Sequence, residues 1–180
     1  MEKIKYYLKI YIDSSYLPGK KEAYTCYYFT GILDARVEET AFFSVGVVNN
    51  SALSEYLGIE KSLEKIDRFL HKKSISHSKV EVDIFTDLQV LPRQYKKWIP
   101  PPKNQKMMES LSRICKILDK FKKADIFWAE RSVNPAGKLL EKNLNNNKIK
   151  GIGNKEEKTI FKDILNFQVL NLEDDFSEKN

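Results

Sequence analysis

The spacing of apolar residues changes near residue 50, and this change restricts the folds that are open to the chain. Before it lie three segments rich in β-branched and aromatic residues, which are typical of strands: 4–13, 23–33 and 40–48. After it, apolar residues recur every three or four positions over 50–70, which is the spacing of an amphipathic helix. The first part of the chain therefore predicts an antiparallel meander followed by a helix.

The rest of the chain alternates between strands and helices. The apolar pattern predicts, in order, a strand, a helix, a strand and a helix: 80–85, 107–121, 125–129 and 135–144. Pro92 is compatible with a short helix after the fourth strand, whereas Pro100-Pro101-Pro102 forces an extended break. The predicted order βββ-α-β-(α)-α-β-α indicates an α/β domain.

At 180 residues, with 42% apolar content, the chain is long enough for one domain with a real core. We assign that domain to residues 1–146. Residues 147–180 are predicted to be a C-terminal extension. An apolar pattern over 159–172 predicts a helix or a strand within it, and the final residues, EDDFSEKN, are expected to be disordered.

Charge is distributed unevenly along the chain. The formal net charge is +6, yet residues 1–150 carry 27 basic and 18 acidic side chains, whereas 151–180 carry four and seven. A basic body favours a polyanionic partner such as nucleic acid, although lysine-rich surfaces also serve solubility alone.

Cys26 and Cys115 are too few for a disulfide framework, and no apolar run is long enough to span a membrane. We therefore expect a cytoplasmic protein without membrane association, or a nuclear one if the source is a eukaryote.

Three acidic residues lie near the ends of predicted strands or near the start of a predicted helix. Asp13 closes the first strand, Glu55 lies in the first turns of the first helix, and Asp87 follows the apolar residues of the stretch IFTDLQV. A carboxylate in a buried strand is costly unless it is paired or coordinates a cation. If the first and fourth strands are neighbours, the three carboxylates converge. Converging carboxylates bind hard divalent ions such as Mg²⁺, and paired ions of this type assist phosphodiester hydrolysis.

Each acid also has a purely structural interpretation. Asp13 could start a turn together with Ser14 and Ser15, Glu55 could interact with the helix dipole, and Asp87 could cap a following helix. For each acid alone these alternatives stay open. The occurrence of all three in this order of elements favours a metal site.

Four short motifs resemble, in order, those of the type 1 ribonuclease H family and its reverse-transcriptase-associated relatives. They are YIDSS at Asp13, NNSALSEYLGIEKSLEKI at Glu55, IFTDLQVL at Asp87 and the closing FWAERSVNPAGKLLEKNL. The resemblance implies a ribonuclease H-like α/β fold, a five-stranded mixed sheet of order 3-2-1-4-5 flanked by helices. It also implies that the three acids are catalytic metal ligands. The implied reaction cleaves the RNA strand of RNA–DNA hybrids with two Mg²⁺ or Mn²⁺ ions.

The chain departs from the family at Gly137, where relatives place a fourth carboxylate. Three explanations stay open. The remaining acids could suffice with more water around the second ion, or Glu141, one helical turn later, could supply the missing metal ligand. Alternatively, the protein could be a catalytically impaired module for nucleic-acid binding or assembly. A related nuclease acting on other structured nucleic acid is a further alternative.

Polar residues beside the acids are candidates for contacts with nucleic acid. Small polar groups can recognise the ribose 2′-hydroxyl, and the candidates are Ser14, Ser15, Asn50 and Gln89. The alternative is that these four residues only form turns and caps.

The segment 92–106 interleaves basic with aromatic residues. We expect Lys96, Lys97 and Trp98 to contact the substrate, and Arg131 to contact a phosphate. The alternative is that Tyr95 and Trp98 face the core while the lysines are solvated. The sequence implies no particular protein partner.

Overall fold

The computed structural model describes residues 6–149, with side chains to residue 146. This part of the chain contains the following elements: β1 (Tyr6–Leu17), β2 (Glu22–Ile32), β3 (Arg36–Val47), α1 (Ser51–Lys72), β4 (Val80–Thr86), α2 (Val90–Tyr95), α3 (Gln105–Leu118), β5 (Lys123–Trp128) and α4 (Pro135–Ile149). The predicted order of elements is therefore confirmed. The predicted helix or strand over 159–172 and the disordered end lie outside the described residues and stay predictions.

The five strands form one mixed sheet in the predicted order β3-β2-β1-β4-β5. β1 pairs with β2, and β2 with β3, in antiparallel orientation, whereas β1–β4 and β4–β5 are parallel. The central strand β1 is therefore antiparallel to one neighbour and parallel to the other. This arrangement brings the first and fourth strands together, as the sequence argument required.

Two strand boundaries were predicted wrongly. β1 does not end at Asp13 but continues to Leu17, because its last residues pair with the start of β2 across the turn at 18–21. β3 begins at Arg36 rather than at residue 40. Its first residues are mostly polar and belong to an edge strand, so they carry little of the apolar alternation on which the prediction depended.

The main core lies between one face of the sheet and the helices α1 and α3. Alternate residues of β1 point into it, so Leu8, Ile10 and Ile12 are fully buried. α1 buries a matching stripe at spacings of three and four, including Tyr56, Ile59, Leu63, Ile66 and Leu70. Full burial of one such aliphatic side chain contributes about 1.5–3 kcal/mol, and α1 is therefore held firmly against β1.

A buried ion pair joins α1 to α3. The side chain of Glu60 is only 3% exposed. Its Oε1 accepts a hydrogen bond from Arg113 Nε at 2.6 Å, and its Oε2 accepts one from Nη2 at 3.3 Å. Both carboxylate oxygens have a donor, so the buried charge is fully paired.

The opposite face of the sheet carries aromatic rings. Phe85 stacks with Tyr11 and with Phe127, with ring centroids 4.8 Å and 5.4 Å apart. On this side α4 packs near Cys26 through the fully buried Ala136 and Leu140. Within the described range, none of the helices combines the length and the hydropathy that a membrane span requires.

Candidate metal centre

Asp13 and Asp87 directly follow the point at which β1 and β4 stop pairing. The last parallel pair is Ile12 with Thr86; β4 ends there, whereas β1 continues beside β2. The chain is held after β4 because the carbonyl of Thr86 accepts a hydrogen bond from Ala129 N at 2.9 Å. The two acids therefore emerge at the same edge of the sheet, as expected.

Gly58 lets α1 approach β1 closely and so brings Glu55 toward the two aspartates. A Cβ atom at Gly58 would lie 2.0 Å from Ser14 Oγ, which leaves no room for any side chain. Glu55 lies three residues earlier on the same side of the helix. Gly58 was not identified from the sequence as a residue that positions the site. The available signal was a glycine inside a helix, which costs about 1 kcal/mol relative to alanine and therefore calls for a packing reason.

One carboxylate oxygen each from Asp13, Glu55 and Asp87 lies within 4.8 Å of the other two. Asp13 is fully buried, and the other two are partly buried. Asp13 Oδ1 accepts a hydrogen bond from Ser14 N at 3.0 Å, but Asp13 Oδ2 and Glu55 Oε2 are buried and receive none among the described residues. Such orphan oxygens are costly, and a hard divalent cation offsets the cost by taking them as ligands. The three residues therefore fit Mg²⁺ or Mn²⁺.

The electrostatics of the cluster agree with this geometry. Burial, and next the charge of Asp87, raise the pKa of Asp13 to about 7, while Arg131 opposes the rise. Burial, followed by the charges of Asp87 and Asp13, raises the pKa of Glu55 to about 9. Burial likewise raises the pKa of Asp87. Three carboxyls that resist ionisation together could hold a cation, whose charge would compensate theirs.

The purely structural interpretations of the acids are not supported. β1 continues through Asp13, so this residue does not start a turn. Glu55 lies beyond the first turn of α1, and the capping position of α2 belongs to Gln89 rather than Asp87.

Arg131 lies beside Asp13, in the short turn 131–133 that precedes α4. Its Nη2 is 3.2 Å from Asp13 Oδ2, an ion pair that lacks hydrogen-bond geometry. A Cβ atom at Gly137 would lie 2.9 Å from Asp13 Oδ2 and 3.3 Å from Arg131 Cγ. The space that a side chain at position 137 would need is therefore already taken by Asp13 and Arg131. Arg131 was predicted as a phosphate contact, and its proximity to Asp13 was not foreseen.

Glu141 does not join the cluster of carboxylates. Its side chain is 66% exposed, and its Oε1 lies 4.0 Å from Arg131 Nε, on a different nitrogen from the one that faces Asp13. The structure therefore does not bring Glu141 to the other three carboxylates, and its role as a substitute metal ligand stays a prediction.

Asn134 anchors the start of α4 beside the cluster. Its Nδ2 donates to the carbonyl of Ile12 at 3.0 Å, and its Oδ1 accepts from Ala136 N at 3.0 Å. The residue is fully buried. Asn134 thus ties the first turn of α4 to the residue before Asp13. This asparagine lies in the motif FWAERSVNPAGKLLEKNL, but the sequence alone indicated no role for it.

The residues predicted to recognise the 2′-hydroxyl differ in exposure. Ser14 is buried, and its hydroxyl donates to Thr25 Oγ1 at 3.0 Å, so it does not reach a ligand and the prediction is corrected. Asn50 is exposed and caps α1, its Oδ1 accepting from Leu53 N at 2.8 Å. Gln89 is exposed and its side chain makes no capping bond, while Ser15 is half-buried.

The predicted basic and aromatic segment is divided between core and surface. Tyr95 packs against the core, and its hydroxyl donates to the carbonyl of Ala124 at 3.2 Å. Trp98 is 71% exposed, and Lys96 Nζ lies 5.1 Å from its ring centroid. Lys97 is exposed as well. The alternative in which both aromatic residues face the core is therefore correct for Tyr95 alone.

Comparison with known proteins places the fold. No protein-family model and no curated protein matches the sequence. Among solved structures, the N-terminal RNase H domain of Rv2228c from Mycobacterium tuberculosis matches with a TM-score of 0.60 and 13% identity, over 82% of this chain and 99% of that one. RNase H1 from the halophilic archaeon Halobacterium salinarum NRC-1 matches with a TM-score of 0.58 and 15% identity, over 78% and 98%.

A third solved structure is LC11-RNase H1 in complex with an RNA/DNA hybrid. It matches with a TM-score of 0.56 and 20% identity, over 76% of this chain and 99% of that one. At such identities the similarity is one of fold. The chain therefore has the ribonuclease H fold, and its resemblance to type 1 ribonucleases H is confirmed at that level.

Proposed function

We propose that this protein is a metal-dependent nuclease that hydrolyses the RNA strand of RNA–DNA hybrids. The observation that carries the proposal is the cluster of Asp13, Glu55 and Asp87, with two buried oxygens that accept no hydrogen bond from the described residues, on a ribonuclease H fold. A fold hosts many activities, so the argument depends on the cluster. The hybrid bound to LC11-RNase H1 supports the choice of substrate.

The three carboxylates would hold Mg²⁺ or Mn²⁺ as catalytic ligands. An ion held there would supply Lewis-acid chemistry for phosphodiester hydrolysis, and the resemblance implies 5′-phosphate and 3′-hydroxyl ends. Asn134 and Gly58 serve this chemistry by fixing α4 and α1 against β1, which holds the ligand oxygens in place. The resemblance implies two ions, but the number of ions is a separate question because Gly137 offers no ligand.

The surface around the cluster has the chemistry of a hybrid-binding site. Gln89 and Asn50 are exposed near Asp87 and Glu55 in the chain, where their amides suit the 2′-hydroxyl of the RNA strand. Lys96, Lys97 and Trp98 form an exposed basic and aromatic group that suits the backbone of the second strand.

Replacing Lys96 by Gln should weaken hybrid binding and lower its salt dependence. An unchanged salt dependence would remove this residue from the interface.

A non-catalytic hybrid-binding module is the second candidate function. The ion pair between Arg131 and Asp13, together with the missing carboxylate at Gly137, favours it. In that case the protein would bind a hybrid without cleaving either strand.

A cleavage assay separates the candidates. The full chain is incubated with labelled RNA–DNA hybrid, duplex RNA and duplex DNA, in Mg²⁺ and in Mn²⁺. We expect cleavage of the hybrid alone, lost in Asp87→Asn and kept in Asp83→Asn, which makes the same charge change earlier on β4. Hybrid binding without cleavage in either metal would establish the module instead. Cleavage of duplex RNA or DNA would point to a related nuclease of different specificity.

A further inference from the structure

We propose that Arg131 is a built-in cation of the metal centre, so that this protein binds one divalent ion where the resemblance implies two. The inference depends on the proposed function, because it concerns the same cluster. Three independent features carry it: the charge of the cluster, the lack of a ligand on α4, and the way in which the guanidinium is held.

The charges of the cluster balance with a single divalent ion. The ionised carboxylates of Asp13, Glu55 and Asp87 and the guanidinium of Arg131 leave two negative charges. One divalent ion neutralises them. A second would make the site strongly positive, and two unit charges 4 Å apart repel by about 4 kcal/mol even at an effective dielectric constant of 20.

The α4 side of the cluster has no ligand to offer a second ion. Gly137 carries no side chain, and a Cβ atom added there would meet Asp13 Oδ2 and Arg131 Cγ. The next residue, Lys138, has a positive charge. Glu141 lies beyond Arg131 and is mostly exposed. An ion on this side would therefore gain only Asp13 as a protein ligand and would lie against a guanidinium.

Arg131 is held in a position to act as a permanent charge. It begins the short turn 131–133 between β5 and α4, directly before Asn134, whose side chain is bonded to the backbone at Ile12. Its Nη2 faces Asp13, and its Nε faces Glu141. A guanidinium stays protonated at every pH at which the fold exists. With 43% of the side chain exposed, its remaining donors can also meet a phosphate of the substrate.

The test is a count of Mn²⁺ ions bound to the full chain without nucleic acid, from the electron paramagnetic resonance signal of free Mn²⁺. We expect one ion in the wild type and one of similar affinity in Arg131→Lys, which keeps the charge. Arg131→Met should still bind one ion but about tenfold more tightly, because a repelling charge is gone.

Two results would overturn the inference: two ions of comparable affinity in the wild type, or weaker binding in Arg131→Met. Thermal unfolding of each variant verifies that it is folded before its ions are counted. The count requires no activity, so a protein that binds one ion and cleaves nothing would support the inference while refuting the proposed function. A protein that binds no ion would refute both.

Discussion

Glu60 and Asp13 are both buried carboxylates beside an arginine, but the two sites are constructed differently. Glu60 has a donor for each oxygen, both from Arg113, and it joins two helices. Asp13 has one oxygen bonded to a backbone amide, while its other oxygen lies 3.2 Å from Arg131 without a hydrogen bond. Two further acids lie near Asp13.

This difference separates a stabilising ion pair from a binding site. A buried charge whose hydrogen-bonding positions are all filled strengthens the contact between the elements that carry it. A buried carboxylate with an orphan oxygen, among like charges, lowers stability until a cation arrives. The first pair therefore stabilises the fold, whereas the second lies in the proposed metal centre.

Asp13→Asn gives the largest expected effect. Hybrid cleavage should fall by at least about 10³-fold, because a ligand charge is removed from the site. At about pH 8 the metal-free protein should become more stable by about 1 kcal/mol, because a neutral amide replaces a buried carboxyl whose pKa is about 7 and which is ionised at this pH. Cleavage kinetics and denaturant unfolding measure the two quantities. Loss of both activity and stability would mean that Asp13 is mainly a structural residue.

Glu60→Gln should give the opposite result. The free energy of unfolding should drop by about 2 kcal/mol, because Arg113 loses its charged partner and a buried amide replaces a filled carboxylate. Hybrid cleavage at a temperature where the variant is folded should stay at the wild-type rate. A matched loss of cleavage would show that the two carboxylates do not have separate roles.

The stability of the protein should also depend on pH through the carboxyls of the metal centre. The folded-state pKa values of Asp13 and Glu55, about 7 and about 9, lie above those of the unfolded chain, so protonation favours the folded state. Without metal, the free energy of unfolding should fall as pH rises from about 5 to 9, by up to about 1.4 kcal/mol per pH unit for each of the two carboxyls until its folded-state pKa is reached. Mg²⁺ should reverse the fall, because it binds the ionised carboxylates.

The same pH titration on Asp13→Asn provides the control, and its slope should be reduced. Denaturant unfolding at a series of pH values measures both proteins. A metal-free stability that rises over this interval would contradict the assignment of orphan carboxyls.

Glu141→Gln should have the smallest effect. Its side chain is exposed and lies 4.0 Å from Arg131, so the pair contributes little, about 0–1 kcal/mol. Metal affinity should change by less than about threefold, and the number of ions should not change. Calorimetric titration with Mn²⁺ measures both. If Glu141→Gln bound one ion fewer than the wild type, Glu141 would have to be a metal ligand.

Most of the fold was predictable from the sequence because it depends on local periodicity. The alternation in 4–13 and the three-and-four spacing in 50–70 each reflect one buried face. The position of Asp87 after an apolar strand followed from the same pattern. Polar edge segments such as the start of β3 escaped prediction because neither face is fully buried.

The contacts that define the site were less predictable because they join residues far apart in the chain. The charge of Arg131 was visible, but its placement on Asp13 depends on how Asn134 docks α4 against β1. Gly58 acquires its meaning only when α1 is packed on Ser14. The same packing buries Ser14, which local sequence placed at the surface.

The central claim is that Asp13, Glu55 and Asp87 together bind a divalent cation. The most direct test is thermal unfolding of the full chain at about pH 8 with and without Mg²⁺, for the wild type, Asp87→Asn and the control Asp83→Asn. Saturating Mg²⁺ stabilises a protein that binds it by about 2–4 kcal/mol, which raises the Tm by several degrees. We expect that rise in the wild type and in Asp83→Asn but not in Asp87→Asn. An equal rise in all three proteins, or none in the wild type, would contradict the claim.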